Sequence, residues 1–254
     1  MDSTYRAFYS DLHTIHWWWR AREHAIERTI LRHIFPRLKS RIPIDIFEIG
    51  AASGMNFHIF RSMGSISGIE IDNNWSFDSQ AINNSIIYAD FSTVCLLPET
   101  YDLVVALDVI EHIQNDSFVM KKVRTILKPG GIFLVNVPAW NQLWTQHDVV
   151  NCHYRRYSPS SLNSLALSCG YRILSMHSLF FWPALGKLLI KLVKRVLPSN
   201  EFLQKSQIKI PPYLINIFLT QLSKLENRIL EHFPSGPGSS LIAVLIKEDA
   251  VLKT

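Results

Sequence analysis

Asp45-Ile46-Phe47-Glu48-Ile49-Gly50-Ala51-Ala52-Ser53-Gly54 is the stretch whose reading decides the fold. Ile46 to Ile49 is short and mostly apolar, as a buried strand requires, and the small residues Gly50 to Gly54 end it in a turn. Met55, Phe57, Ile59 and Phe60 then place apolar side chains at helical spacing. A strand that stops in such a turn opens a crevice at its carboxyl end, where open α/β sheets hold ligands. Small side chains let the backbone come within contact distance of what lies there. The spacing Gly50-x-x-x-Gly54 departs from the Gly-x-Gly-x-x-Gly of a dinucleotide site, whose helix end faces a pyrophosphate, so a dehydrogenase is disfavoured.

Outward from this bend, carboxylates close the strands that follow. Ser67-Gly68-Ile69-Glu70-Ile71-Asp72 reads as a second strand. Glu70 lies 20 residues after Gly50, the separation at which a carboxylate reaches ribose hydroxyls in doubly wound folds. Ile86-Ile87-Tyr88 is a third strand ending at Asp90-Phe91, and Asp102 to Leu107 a fourth that ends at Asp108 and runs into Val109-Ile110-Glu111-His112. Asp116 is placed to cap a helix over Ser117–Leu127, which Pro129-Gly130 stops before an apolar fifth strand, Ile132 to Val137. Ser158-Pro159 opens another helix and Gly170 closes it; Tyr171 to His177 and Leu241 to Ile246 complete seven strands.

In this order the residues resemble the class I S-adenosylmethionine-dependent methyltransferases, over roughly residues 45–175. The family's first motif matches at Glu48, Gly50 and Gly54, and its second-strand acid at Glu70. Asp90 matches the adenine-contacting acid, Tyr101-Asp102-Leu103-Val104-Val105 the fourth strand, and Lys128-Pro129-Gly130-Gly131 the turn into the fifth. The resemblance implies a doubly wound, mostly parallel seven-stranded Rossmann-like sheet that binds S-adenosylmethionine. Glu48 and the backbone from Gly50 through Ala52 to Gly54 would take the methionine end, Glu70 with Ile71 the ribose, and Asp90 the adenine edge. Phe91 would pack on the ring, and Asp108 would border the cofactor. Ala52 replaces the usual central glycine and Ala51 the usual cysteine. The extra methyl group is expected to narrow the site without forcing a forbidden backbone.

Two regions lie outside this frame. Residues 1–40 are expected to form an amino-terminal lid on the methyltransferase domain, 41–254, with a helix over 5–35 ended by Pro36. Its consecutive Trp17, Trp18 and Trp19 cannot share one helix face; some of them, Trp18 among them, would meet cofactor or substrate while the rest dock the helix. Between the last two strands, residues 178–238 form a helical insertion. There, Phe180 to Leu197 sets Lys187, Lys191, Lys194 and Arg195 opposite leucine, isoleucine and valine, and Leu214 to Ile229 repeats apolar residues at helical spacing. Two readings stay open: segment 180–197 lies on a membrane surface, or both helices wall the substrate pocket.

The loop from Pro138 to Tyr157 concentrates aromatic, imidazole, carboxylate and guanidinium groups. Trp140, Trp144, Tyr154, Arg155 and Arg156 are candidates for binding the acceptor, the arginines by pairing with a phosphate or carboxylate. His147, and after it His153, suits a general base for a hydroxyl acceptor, with Asp148 to orient an imidazole. Asp108, Glu111 and His112 form an alternative, metal-binding set on one helical face, as in some methyltransferases of similar sequence.

Composition bounds these readings. The 254 residues suffice for one α/β domain with an elaboration, and 48% hydrophobic content argues against disorder. The net charge of +5 permits acidic partners. Cys95, Cys152 and Cys169 are odd in number and lack metal spacing, which fits reduced thiols in a cytoplasmic protein. The first residues do not resemble a signal peptide, and no apolar run is long enough to span a bilayer. The expected activity is methyl transfer to a small, lipid-linked or glycan-linked acceptor, at oxygen. An RNA methyltransferase and a non-catalytic protein on the same fold are the alternatives, and DNA is not an expected partner.

Overall fold

The computed structural model describes residues 12–78, 85–196, 209–233 and 236–248, with residues 76–78 and 194–196 described by their backbone alone. Seven strands form one sheet in the order β3-β2-β1-β4-β5-β7-β6. They are β1 (Ile44–Ile49), β2 (Gly64–Glu70), β3 (Ile86–Tyr88), β4 (Tyr101–Leu107), β5 (Leu127–Pro138), β6 (Tyr171–Leu179) and β7 (Ser240–Lys247). The pairs β1–β2, β1–β4, β2–β3 and β4–β5 are parallel, and β7 runs antiparallel to both β5 and β6. This is the doubly wound, mostly parallel sheet expected. Several strands run longer than the apolar pattern indicated, because pairing with a neighbour extends regular structure into polar ends.

Period-two alternation divides the strands between two cores. Val104 and Ala106 of β4, with Phe133 and Val135 of β5, pack on the helices α3 (Asp116–Ile126) and α5 (Pro159–Ser168). Leu103, Val105 and Leu107, with Ile132 and Leu134, face α1 (Trp17–Thr29) through Ala21, Ala25 and Ile26. Glu48 shares the parity of Ile44 and Ile46, so its carboxylate is on the α1 side. The first bend leads into α2 (Phe57–Phe60), and α4 (Gln146–Val150) lies in the loop after β5.

Three local expectations are corrected. Pro36 does not end the first helix: the chain widens into a π turn over Ile30–Ile34 and continues as Phe35–Leu38, with the proline in that piece's first turn, where its missing N–H costs no internal bond. The helix is also interrupted at His16, which caps α1 by accepting from the Trp18 amide at 3.2 Å; its expected start, at residue 5, lies outside the described residues. The cap of α3 is Asn115 rather than Asp116, which frees Asp116 to hold Arg155 and Tyr157.

The insertion contains α6 (Phe181–Val196) and α7 (Tyr213–Leu230); Leu197, the expected end of the first, lies outside the described residues. α7 packs on α1 through Asn216, Thr220, Ser223 and Asn227, all buried. Among the described residues no helix is long and apolar enough to cross a membrane.

Candidate active site

The carboxyl edge of the sheet is where backbone strain gathers. Six described non-glycine residues have positive φ, and four of them, Ala52, Asp108, Trp140 and Phe180, follow the carboxyl ends of β1, β4, β5 and β6. Such conformations persist only where the surroundings over-determine them. Gly50 (φ +71°) and Gly54 (φ +77°) complete the first bend. A Cβ on Gly50 would lie 2.5 Å from Cγ2 of Val109, so that turn needs glycine for space as well as for conformation. Ala52, at φ +48°, corrects one expectation: its methyl group does sit on a disfavoured backbone.

Glu70 fixes the bend. Its Oε2 accepts from the Ala52 amide at 2.9 Å and its Oε1 from the Asp72 amide at 2.9 Å, so the carboxylate sits where bend and second strand meet. Ile71 is exposed beside it. Asp90 is exposed, and its Oδ1 accepts from the Ser92 amide at 2.7 Å. Phe91 is not open to a ligand's ring face as expected. It is buried against Phe47, with the Lys122 ammonium 5.0 Å from its centroid.

Glu48 lies 1% exposed on the other side of the bend. Asn56 donates to its Oε1 at 2.7 Å while Oε2 has no partner, and burial pushes its pKa up to about 7. Asp108, at the end of β4, accepts from Asn136 Nδ2 at 2.7 Å and pairs with Arg22 of α1 at 2.7 Å. This ion pair ties α1 to the end of the fourth strand. Trp18 stacks on Phe180 at 5.4 Å and lies under the Arg22 guanidinium at 5.7 Å, while Trp17 packs on Trp182. Trp17 and Trp18 pack α1 against Phe180 and Trp182, and Arg22 carries α1 to the carboxyl edge.

Beyond β5, the loop is built around Asp148, which is fully buried. Arg156 donates to both its oxygens, from Nε at 2.8 Å and Nη2 at 3.1 Å, and His153 Nδ1 lies 2.9 Å from Oδ1. Asp148 Oδ2 also accepts from the Thr145 amide in the capping box of α4. Burial opposes the charge on Asp148, but the bonds from His153 and Arg156 outweigh it and hold its pKa well below the usual carboxylate range. The imidazole that Asp148 orients is therefore that of His153; His147 pairs with Asn151 instead. Burial, then the nearby Lys187, lowers the pKa of His147.

Both arginines of the pair are already engaged within the protein. Arg156 has its nitrogens on Asp148 and on the Ala139 carbonyl, and Arg155 is held by Asp116 at 2.7 Å and the Gln114 carbonyl at 2.5 Å. The two guanidiniums and Trp140 nonetheless line a cavity of about 440 Å³ with Asn141, Gln142 and Ser158. Tyr154 is exposed, and its amide donates to the Glu111 carbonyl; Trp144 is half-buried after the turn Asn141–Leu143.

The metal set is also rearranged. Asp108 ends a strand rather than sharing a helix face with Glu111, and its charge is taken by Arg22. Glu111, His112 and His153 instead bring ligating atoms within 4.8 Å of one another. Burial, then the Asp108 charge, raises the Glu111 pKa well above the carboxylate range. Burial, then His153, lowers that of His112.

Sequence reasoning assigned no role to Arg22, Asn56 and Asn136. Asn136 leaves a trace, as the one polar residue inside the apolar run Ile132–Val137. Lys187, one of the four basic residues on the expected helix face, is half-buried, and burial, then Arg156, lowers its pKa to about 8.

The donor set fits S-adenosylmethionine. Among the described residues the carboxyl edge holds unpartnered buried atoms on Arg22, Glu48, Glu111, Asn136 and Trp140. An acceptor on Glu48 and a donor on Arg22 match the ammonium and carboxylate of an amino acid. A carboxylate at Glu70 matches a ribose diol.

Comparison with known proteins agrees. No curated protein sequence matches the chain, but solved structures do. A proposed sarcosine dimethylglycine methyltransferase from Galdieria sulphuraria superposes with TM-score 0.54 at 18% identity, over 82% of this chain and 80% of that one. Phosphoethanolamine N-methyltransferase 2 of Haemonchus contortus, in complex with S-adenosyl-L-methionine, gives 0.51 at 14%, over 81% of this chain and 49% of that one. A Mesorhizobium loti S-adenosylmethionine-dependent methyltransferase gives 0.51 at 12%, over 84% and 96%. A family profile described as a methyltransferase domain matches residues 18–176, well over half the chain, and the protein accordingly belongs to the class I S-adenosylmethionine-dependent methyltransferases.

Proposed function

We propose that the enzyme methylates an oxygen of a small, lipid-linked or glycan-linked acceptor, with His153 as general base. The observation that supports this most is the Asp148–His153 pair. A buried carboxylate held ionised by Arg156 accepts from Nδ1 of the imidazole, which leaves Nε2 as the proton acceptor. His153 stacks edge-on with His112 at 4.6 Å, immediately after the fourth strand and its end at Asp108. The neighbouring 440 Å³ cavity gives an acceptor a seat on the same loop.

In this reading Glu48 and Arg22 hold the amino-acid end of S-adenosylmethionine, Glu70 the ribose and Asp90 the adenine edge. The bound cofactor supplies a methyl group activated by a sulfonium. The protein aligns the acceptor oxygen with that carbon and, through His153 Nε2, removes the hydroxyl proton as the new bond forms. Arg22 pairs with Asp108 and its charge also acts on Glu48, so α1 contributes to the same edge.

The test is one variant and one chelator. His153→Ala lowers turnover without changing cofactor affinity, and an exogenous imidazole restores part of it. Wild-type turnover in that variant removes the base assignment. Chelation distinguishes a metal-assisted route through Glu111, His112 and His153: with His153 as base, EDTA leaves the rate unchanged.

A further inference from the structure

The insertion helices are built inside out. On α7 the buried positions are Asn216, Thr220, Ser223, Asn227 and Leu230, an i, i+4, i+7 stripe that is polar except at its end. Hydrogen bonds fix that orientation. Asn216 accepts from the Trp17 amide and donates to the Ile15 carbonyl, Asn227 accepts from the Phe180 amide, and Ser223 accepts from Trp182 Nε1. The opposite stripe, Leu214, Phe218, Leu222, Leu225 and Ile229, faces outward, with Leu214 78% and Phe218 64% exposed. α6 exposes apolar residues as well: Leu185, Leu189, Leu192 and Val193 are exposed, while Lys187 is half-buried and Lys191, itself exposed, donates to the Gln142 carbonyl at 2.5 Å. A helix of a water-soluble protein buries its apolar stripe; two adjacent helices that expose it mark an interaction surface.

The charge identifies the occupant. Residues 181–230 contain eight Lys or Arg against two Asp or Glu, a net +6, whereas the whole chain carries +5, so the remainder carries −1. A second copy of the chain would bring the same positive charge to this face. A bilayer with anionic headgroups supplies both the apolar layer and the opposite charge. We infer that α6 and α7 seat their outward leucine, isoleucine and phenylalanine side chains in the interface of an anionic lipid bilayer. The Lys191–Gln142 bond then holds the acceptor cavity against that surface. This docking stands on the helix faces and the charge, whichever acceptor is methylated.

Sedimentation with vesicles tests it. The full chain binds phosphatidylglycerol–phosphatidylcholine vesicles, and high salt weakens the binding because it screens the lysines. Leu214→Asp with Phe218→Asp lowers vesicle affinity by roughly tenfold or more, since each removes an apolar anchor. Lys209→Glu with Lys224→Glu does so at low salt. Both variants keep the wild-type thermal midpoint and the wild-type S-adenosylmethionine affinity by calorimetry, which keeps failure of docking separate from failure of the active site. Absence of wild-type binding to these vesicles, or equal binding by all proteins, overturns the inference. So does a lipid-free dimer that Leu214→Asp with Phe218→Asp turns into a monomer, because the face then belongs to a second copy.

Discussion

The two edges of the sheet are built from similar charged residues under opposite rules. At the amino edge, Asp102 is buried but satisfied, accepting from the Asp45 amide at 3.1 Å, Lys128 at 2.7 Å and Arg41 at 3.5 Å. Lys128 also reaches Asp45 at 2.8 Å. At the carboxyl edge, Glu48, Glu111, Asn136, Arg22 and Trp140 keep unpartnered buried atoms, and Asp108 and Trp140 hold strained backbones. Leaving a buried polar group unpaired costs ~1–3 kcal/mol, so the second edge is stable only because the rest of the domain supports it. A fold spends its stability where a ligand will complete the pairing.

If that contrast is right, substitutions at the two edges separate activity from stability. The largest effect is expected at His153: alanine there lowers turnover by about 10²–10⁴-fold in a steady-state assay, the range for loss of a general base. Glu70→Ala comes next. Loss of a charged hydrogen-bonding group weakens S-adenosylmethionine binding by roughly 10–100-fold in calorimetry, and an unchanged dissociation constant would place the ribose elsewhere.

The unpaired carboxylates also give the apoprotein a pH dependence. The folded-state pKa of Glu48, near 7, lies above its value in the unfolded chain. Between about pH 4.5 and 7 the native state therefore binds more protons than the unfolded one, and its stability falls as pH rises through that window. Glu111, raised for the same reason, acts in the same direction. Buried histidines with lowered pKa, His16 and His177 among them, act in the opposite direction, so the share of Glu48 is read as a difference: the thermal midpoint of Glu48→Gln rises relative to wild type as pH goes from about 4.5 to 7, and S-adenosylmethionine shrinks that difference by pairing the charge. A slope unaffected by the substitution would remove Glu48 from the account.

At the amino edge the pattern reverses. Lys128→Met should cost about 1 kcal/mol, since the ion pair is partly exposed and screened, and lower the midpoint by roughly 2–4 °C at unchanged turnover. The smallest effect is expected from Ala52→Gly. Relief of the φ +48° backbone is offset by the added freedom of the unfolded chain, which leaves a gain of about 0.5 kcal/mol or less.

Much of this architecture is legible in the residues alone. Alternation in Ile44–Ile49 and Tyr101–Leu107, the small-residue bend and the acids at successive strand ends specify a parallel sheet and its ligand edge, because burial and chain geometry act locally there. The glycine at Gly50 is readable for the same reason. Which imidazole Asp148 orients is not readable: His147 is its neighbour in sequence and His153 lies five residues on, yet the turn of α4 brings His153 to 2.9 Å. Arg22, Asn136 and the rearranged Glu111–His112–His153 cluster likewise depend on contacts between distant segments.

The insertion separates the two kinds of information most clearly. Its amphipathic pattern is fixed by spacing, so the sequence by itself determined that α6 and α7 have one polar and one apolar face. Which face turns inward depends on the partner. Asn216, Ser223 and Asn227 meet unpaired backbone and indole N–H groups at Trp17, Trp182 and Phe180, and satisfying those buried donors fixes the helix with its leucines outward. Periodicity records that a helix has two sides; only the tertiary structure decides which of them is the inside.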